Sequence, residues 1–342
     1  MNETALRPLK VCDLVQAWGP RSGGVKRYIR GKMDYMRTHP SLEHVLVIPG
    51  AEDLSRREGG SRIYEIASLP IVGSQGYRLL LNRSKMLEVI DREQPDVLEV
   101  GNAYRPAWVA VEAGERSRIP VVAFYHSDFP RALGSKLNEA VGLPLGEPVT
   151  RAVEHYLADL YNQMDAVLVA THRFQALLRE IGVERVVRLP LGVDTRVFRP
   201  RDSREAVLRE LGLEKGVKLL LFVGRFADMK NLPVLLACLD ELPGELGPFH
   251  LLLVGDGEKR NLVERAAAER SDVTWYPYVA DQNRLAEIYS AAGLFVNPGT
   301  RETFGLVSVE AQACGTRVLG VRDGGMDETL TGEQPLILAE EA

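Results

Sequence analysis

Short runs of apolar, largely β-branched residues alternate with stretches of helical periodicity along almost the whole chain. In the first half the runs are Lys10–Val15, Val45–Ile48, Ile63–Ala67, Asp96–Val100, Val121–Tyr125, Ala166–Ala170 and Val186–Leu189. The rhythm restarts at Lys218–Val223 and continues through His250–Val254, Val273–Tyr276, Leu294–Asn297, Thr316–Gly320 and Pro335–Leu338. Strands that are apolar at successive positions belong to parallel sheets covered by helices on both faces. The expected class is α/β, with two doubly wound, Rossmann-like domains. Leu189–Pro200 lies between the two series, is rich in Pro and Gly and lacks periodicity, so it reads as the linker. The expected domains are 1–193 and 194–342. Two such domains facing each other would leave a cleft at the carboxyl ends of their strands, where sheets of this kind bind ligands.

Composition agrees with two soluble domains and narrows the compartment. A chain of 342 residues exceeds what one core usually serves. No apolar stretch approaches roughly 20 residues, and the N-terminus lacks the basic-then-apolar layout of a signal peptide. A cytoplasmic location is expected. Cys12, Cys238 and Cys314 are far apart and read as small core residues, not as a disulfide frame or metal site. The net charge of −5 conceals an asymmetry: residues 1–200 carry +3 and residues 201–342 carry −8. A mildly basic first half would suit an anionic partner or a membrane surface.

The candidate chemistry gathers at strand ends. Gly293–Val296 reads as a short buried strand broken by Asn297-Pro298-Gly299, and Leu306–Ala313 as a helix closed by Gly315. Glu302 then lies in the loop and Glu310 on the helix. Phe304, Gly305, Leu306 and Val307 fall where unpaired N–H groups and the helix dipole favour an anion such as a phosphate. Two carboxylates beside such a site suit a polyhydroxylated phosphate ester. For either glutamate alone, an ordinary solvated position is the competing reading. Arg225 and Lys230 share the loop after Lys218–Val223 and could neutralise a diphosphate, whereas Asp228 or Asn231 could cap the next helix. Gly23 and Gly24 follow the first strand and permit close backbone approach to a phosphate or sugar. His126 stands just past a strand end. Tyr77–Leu87 reads as a basic and apolar helix, either packed on the core or offered to a lipid or anionic acceptor.

Other chemistries find no pattern. The sequence has no Asp-x-Asp and its histidines are scattered, so no bound metal is expected. It has no phosphate-binding Gly-x-x-x-x-Gly-Lys-Ser/Thr loop, and Gly255-Asp256-Gly257 reads as a tight turn lacking the rest of a dinucleotide fingerprint.

Glu302, seven intervening residues and Glu310, set within Pro298…Thr303-Phe304-Gly305-Leu306…Ala311…Ala313-Cys314-Gly315, resemble the retaining glycosyltransferases of family 4, also called group 1. Arg225 and Lys230 resemble that family's diphosphate pair, Gly23-Gly24 its first glycine loop, His126 its cleft histidine and Leu191-Gly192-Val193-Asp194 its interdomain segment. The likeness runs from residue 10 to about 330. Gln312 stands where methionine is often found, and the final crossover helix usual in the family is expected to be missing.

The resemblance implies the GT-B architecture and a nucleotide-sugar donor held mainly by the second domain. It implies ribose hydroxyls on Glu310, sugar hydroxyls on Glu302, the diphosphate on Arg225, Lys230 and the 304–306 backbone, and a hydrogen bond from His126 to the donor sugar. The implied reaction is retaining transfer of mannose from GDP-mannose or glucose from UDP-glucose to a lipid, glycan or small-molecule hydroxyl, with no cofactor, no metal and no nucleic-acid partner. Peripheral contact with the inner membrane face through the first domain goes with a lipid acceptor. A nucleotide-sugar 2-epimerase of the same architecture and a non-catalytic nucleotide-sugar-binding protein are the alternatives.

Overall fold

A computed structural model describes residues 7–19, 23–71, 74, 76–128, 146–242, 247–322, 325–332 and 336–337. The chain divides into two compact units, Met1–Pro190 and Leu191–Ala342. The boundary falls within the expected linker. Beyond it the segment is anchored, because Val193, Val197 and Phe198 pack into the core of the second unit.

The first unit carries strands β1 (Leu9–Leu14), β2 (Leu42–Gly50), β3 (Leu54–Glu58), β4 (Ser61–Ala67), β5 (Leu69–Pro70), β6 (Arg78–Leu79), β7 (Val97–Val100), β8 (Val121–Phe124), β9 (Ala166–Val169) and β10 (Val186–Arg188). Eight of them form one sheet in the order β10-β9-β8-β7-β1-β2-β4-β3, parallel except at the β3 edge. Helices α1 (Gly24–Arg37), α2 (Arg83–Glu93) and α3 (Arg105–Ser117) belong to this unit, as do helices Gly146–Tyr161 and His172–Glu180. On β2, Val45 and Val47 enter one apolar cluster, while Leu46 and Ile48 enter another that also holds Ile29 and Met33 of α1. Both faces of the strand are therefore buried, which is why its run is apolar without alternation.

The second unit repeats the plan with β11 (Lys218–Val223), β12 (Phe249–Val254), β13 (Val273–Tyr276), β14 (Leu294–Val296), β15 (Arg317–Val321) and β16 (Leu336–Ile337). Their order is β13-β12-β11-β14-β15-β16, and every pairing is parallel. This is the strand order of a doubly wound nucleotide-binding sheet. Leu219, Leu221 and Val223 face one cluster and Phe222 another, again burying both faces.

Two expectations are overturned and one strand is added. Tyr77–Leu87 is not one helix: β6 pairs antiparallel with β5 as a separate two-stranded ribbon, and the helix starts only at Arg83, capped by Asn82 Oδ1 accepting from Lys85 N at 3.1 Å. The β3 edge strand was not expected, because its Leu54-Ser55-Arg56-Arg57-Glu58 sequence is largely polar and meets the sheet only through β4. Cys12 and Cys314 are buried as expected, but Cys238 is exposed at the end of the helix Leu232–Cys238.

Candidate active site

In the second sheet β11 and β14 are neighbours although their chains leave in opposite directions, toward β12 and β15. The loops after them must diverge, and that leaves a crevice at their carboxyl ends. The β11 loop carries Arg225 and a 3-10 turn, Asp228–Lys230; the β14 loop carries Asn297 to Gly305. The two loops are joined by an ion pair between Lys230 Nζ and Glu302 Oε1, with side chains only 13% and 16% exposed. Asn297, fully buried, donates Nδ2 to Glu302 Oε1 at 3.0 Å and accepts from Gly299 N at 3.1 Å. Asn231 donates to Pro298 O at 3.1 Å instead of capping the helix that follows, and no side-chain cap is made there. Burial pushes the Glu302 carboxyl up, but the charge and hydrogen bond of Lys230 and the Asn297 amide more than offset this and hold it below its ordinary range.

Two glycines make the Glu302 position possible. Gly325 has φ +87°, and a Cβ there would lie 1.7 Å from the Glu302 carbonyl oxygen. Gly305 has φ +79°, and a Cβ there would lie 2.3 Å from Met326 Cγ. Met326 in turn places its sulfur 3.1 Å from Asn297 Nδ2. The sequence reading missed Asn297, Gly325 and Met326 as supports. The adjacent glycines Gly324 and Gly325 after the fifth strand were the available signal.

The helix Leu306–Ala313 begins at Gly305 with no side-chain cap and no acidic residue in its first turn. Its leading N–H groups and positive dipole end therefore present an anion site beside Lys230 and Glu302. Glu310 lies one turn on and is fully buried, its Oε2 accepting from Tyr289 OH at 3.0 Å. Gln312 ties the same helix to the next segment, donating to Thr329 O and accepting from Thr331 N, each at 2.9 Å. Arg225 takes a different direction from Lys230: it is exposed and donates to Glu258 at 3.0 Å. The structure thus brings Lys230, Glu302 and Phe304–Val307 together, encloses Glu310 and leaves Arg225 on the rim. Gly255 and Gly257 form the expected tight turn, packed against Gly224 and Phe226 so closely that a Cβ on either would collide with backbone.

In the first unit the corresponding switch lies between β1 and β7. A cavity of about 530 Å³ opens at that edge, with Gln16, Asn102, His126 and Ser127 among its lining residues. His126 lies flat against Phe124, ring centroids 4.4 Å apart, and 5.2 Å from the Tyr28 ring. Tyr28 OH donates to Glu99 at 2.9 Å, Lys32 Nζ contacts Glu99 at 2.7 Å and Asp13 at 2.8 Å, and His44 Nε2 lies 2.6 Å from Asp13. Burial, assisted by the Lys32 charge, lowers the His126 pKa to about 3, so its imidazole is neutral and is a hydrogen-bonding group, not a cation. For Asp13, burial acts upward but Lys32 and His44 prevail, giving about 2; for Glu99, burial and the neighbouring Asp13 charge act together and raise it. Gly23 is the residue before α1, uncapped by any side chain, and a Cβ there would meet open space. Gly24 is the first residue of that helix, while residues 20–22 of this loop lie outside the described residues.

Comparison with known proteins agrees with this fold. The family described as Glycosyltransferase Family 4 matches residues 22–197, and that described as Glycosyl transferases group 1 matches residues 203–341. A GDP-mannose-dependent alpha-mannosyltransferase of Corynebacterium glutamicum is 24% identical over 94% of this chain and 74% of its own. A GDP-mannose-dependent alpha-(1-6)-phosphatidylinositol dimannoside mannosyltransferase of Mycobacterium tuberculosis is 27% identical over 95% of this chain and 82% of its own. Among solved structures, Anabaena HepE in complex with UDP-glucose superposes with a TM-score of 0.73 at 17% identity, covering 97% of this chain and 87% of that one. Sucrose-phosphate synthase from Thermosynechococcus elongatus gives 0.71 at 22% identity, over 96% and 85%. The fold is thus the GT-B fold of these glycosyltransferases.

Proposed function

The chain belongs to glycosyltransferase family 4, and on that footing we propose that it moves a hexose from a nucleotide-diphosphate sugar to an acceptor hydroxyl with retention and without a metal. The observation that carries this reading is the largely buried Lys230–Glu302 pair beside the uncapped start of the helix Leu306–Ala313. A fixed cation and aligned backbone N–H groups suit a leaving diphosphate, whose charge grows as the glycosidic bond breaks. The bond from the sugar's anomeric carbon to the phosphate oxygen breaks, and one to the acceptor oxygen forms on the same face. The acceptor proton passes to the departing phosphate, so no protein nucleophile is required.

In this reading Glu302 accepts from sugar hydroxyls and Arg225 reaches the diphosphate from the rim by exchanging Glu258. Neutral His126 hydrogen-bonds the sugar, the Gly23-Gly24 backbone approaches it, and Glu310 accepts from ribose hydroxyls. The burial of Glu310 against Tyr289 sets a condition on its role, because its surroundings must rearrange to admit a ribose. The mannosyltransferases among the relatives favour mannose and GDP; the UDP-glucose complex of a neighbour keeps glucose as the second choice. Those relatives are transferases, which favours transfer over 2-epimerisation. Among the described residues no helix is long and apolar enough to cross a membrane, and we place the reaction in the cytoplasm.

Titration with GDP, UDP and their sugars, followed by mass spectrometry of the products with and without EDTA, tests the assignment. Donor-dependent stabilisation and hexose transfer that survives chelation are expected. Absence of nucleotide binding, or Lys230→Ala binding as tightly as the parent, would sink it.

A further inference from the structure

Arg225 and Lys230 leave the same loop and meet different carboxylates. Lys230 pairs with Glu302, to which the donor reading gives the sugar hydroxyls. Arg225 donates Nη2 to Glu258 Oε2 at 3.0 Å, and that reading gives Glu258 no task of its own. Glu258 stands in the turn after β12, the strand beside β11, and its side chain and that of Arg225 are 44% and 50% exposed. The next residue, Lys259, pairs with Asp228 at 2.5 Å. Two ion pairs of opposite sense therefore join the two loops, and the carboxylate that faces Arg225 is that of Glu258.

Neither loop depends on the Glu258 charge for its position. Phe226, fully buried, donates its N–H to Asp256 O at 3.0 Å and accepts from Lys259 N at 2.9 Å, so the main chains are bonded on both sides of Glu258. Gly257 lies so close to Phe226 that a Cβ there would stand 2.3 Å from its carbonyl oxygen. Asp256 turns its own carboxylate onto Gly257 N at 2.8 Å. Main-chain bonds and packing thus hold Arg225 at the rim, and Glu258 adds an anion to a guanidinium already in place. A carboxylate offers that guanidinium the same kind of paired oxygen acceptors as a phosphate.

We propose that Glu258 sets the affinity of the donor site by competing with the nucleotide diphosphate for Arg225. The protein's own carboxylate occupies the fork that the diphosphate takes, so binding breaks one ion pair to make another and departure restores the first. Glu258 thereby weakens retention of nucleotide and favours release of the product diphosphate. This rests on the reading that Arg225 meets the diphosphate of a nucleotide sugar, and it adds the residue that limits that contact. Both side chains are about half exposed, so the competition has the strength of a surface ion pair, about two- to fivefold in affinity.

Calorimetric titration of the full chain with GDP and UDP, in the parent, Glu258→Gln, Arg225→Met and the double variant, tests this. Glu258→Gln should bind the preferred nucleotide about two- to fivefold more tightly than the parent, and Arg225→Met should bind it more weakly. In the Arg225→Met background the Gln substitution should change nothing, and the gain in Glu258→Gln should fade at high salt. Unchanged binding by Glu258→Gln overturns the inference, as does weaker binding, which would make Glu258 a support for Arg225. A gain that persists in the Arg225→Met background also overturns it, because the carboxylate would then act through the general field of the surface. Nucleotide binding by the parent that is undiminished in Arg225→Met removes Arg225 from the donor site and the inference with it, while the transferase reading stands. No nucleotide binding by the parent strikes both.

Discussion

Lys230 and Glu302, 72 positions apart in the chain, meet as a largely buried ion pair that ties together the loops after the first and fourth strands of the second unit. Each charge is held by the other, and Asn297 fixes the carboxylate from behind. Lys230→Met should therefore leave an uncompensated carboxylate and cost roughly 2–4 kcal/mol of stability. Glu302→Gln should cost less, because the amide still finds partners. A double-mutant cycle read by chemical denaturation should give a favourable coupling energy, and nucleotide affinity should fall at least tenfold in Lys230→Met. Additive single effects would contradict the pair.

Gly325→Ala should be among the most damaging single-methyl changes in the chain. The residue has φ +87° and its added Cβ would fall inside the Glu302 carbonyl oxygen. Loss of at least about 2 kcal/mol in stability is expected, together with weakened nucleotide binding, since Glu302 must shift. Gly101→Ala is the control: its Cβ would stand 3.4 Å from the His126 ring, an ordinary contact, and thermal unfolding should change little.

The buried charges beneath α1 make a different prediction. Asp13 and Glu99 are register partners on adjacent parallel strands, and Lys32 bridges them. Lys32→Met should cost about 3–5 kcal/mol at neutral pH, because two facing carboxylates lose their cation. Protonation of Glu99, whose pKa is raised above its ordinary value by burial and by Asp13, relieves that repulsion, so the penalty should already be shrinking as pH falls into the ordinary carboxylate range. Urea denaturation of parent and variant at pH 7 and pH 4 reads the difference, and an unchanged penalty would reject the account.

His126 has its folded-state pKa lowered from 6.5 to about 3. The unfolded chain therefore binds a proton between those values that the native protein does not. Stability is full above about pH 6.5 and declines as pH drops from 6.5 toward 3. His126→Phe should flatten the stability profile across that window while leaving the neutral plateau at or below that of the parent. The parent's activity should show no limb due to His126 from about pH 6 to 9, because the ring stays neutral throughout. A kinetic limb in that range that vanishes in His126→Phe would contradict the neutral ring.

Much of this protein was legible along the chain. Most of the apolar runs became strands within a residue or two of their expected ends, because a strand buried on both faces cannot hide polar residues and so announces itself in sequence. The helix Leu306–Ala313 was legible because turn signals lie close to both of its ends, and Lys230, Glu302 and Phe304–Val307 were candidates because each sits in a short turn or charge pattern of its own. The 69–79 ribbon and the β3 edge were not, because short or largely polar strands gain their pairing from neighbours and carry little pattern of their own.

Sequence alone determined the two parallel α/β units, the linker and the carboxylates and cations available for chemistry, since each follows from local periodicity and residue type. Only the tertiary structure decided that Lys230, and not Arg225, pairs with Glu302, that Glu310 is enclosed with Tyr289, and that Leu79, Leu81 and His126 line one cavity. Those relations depend on strand order and loop direction. They join residues tens of positions apart through packing that no local pattern encodes.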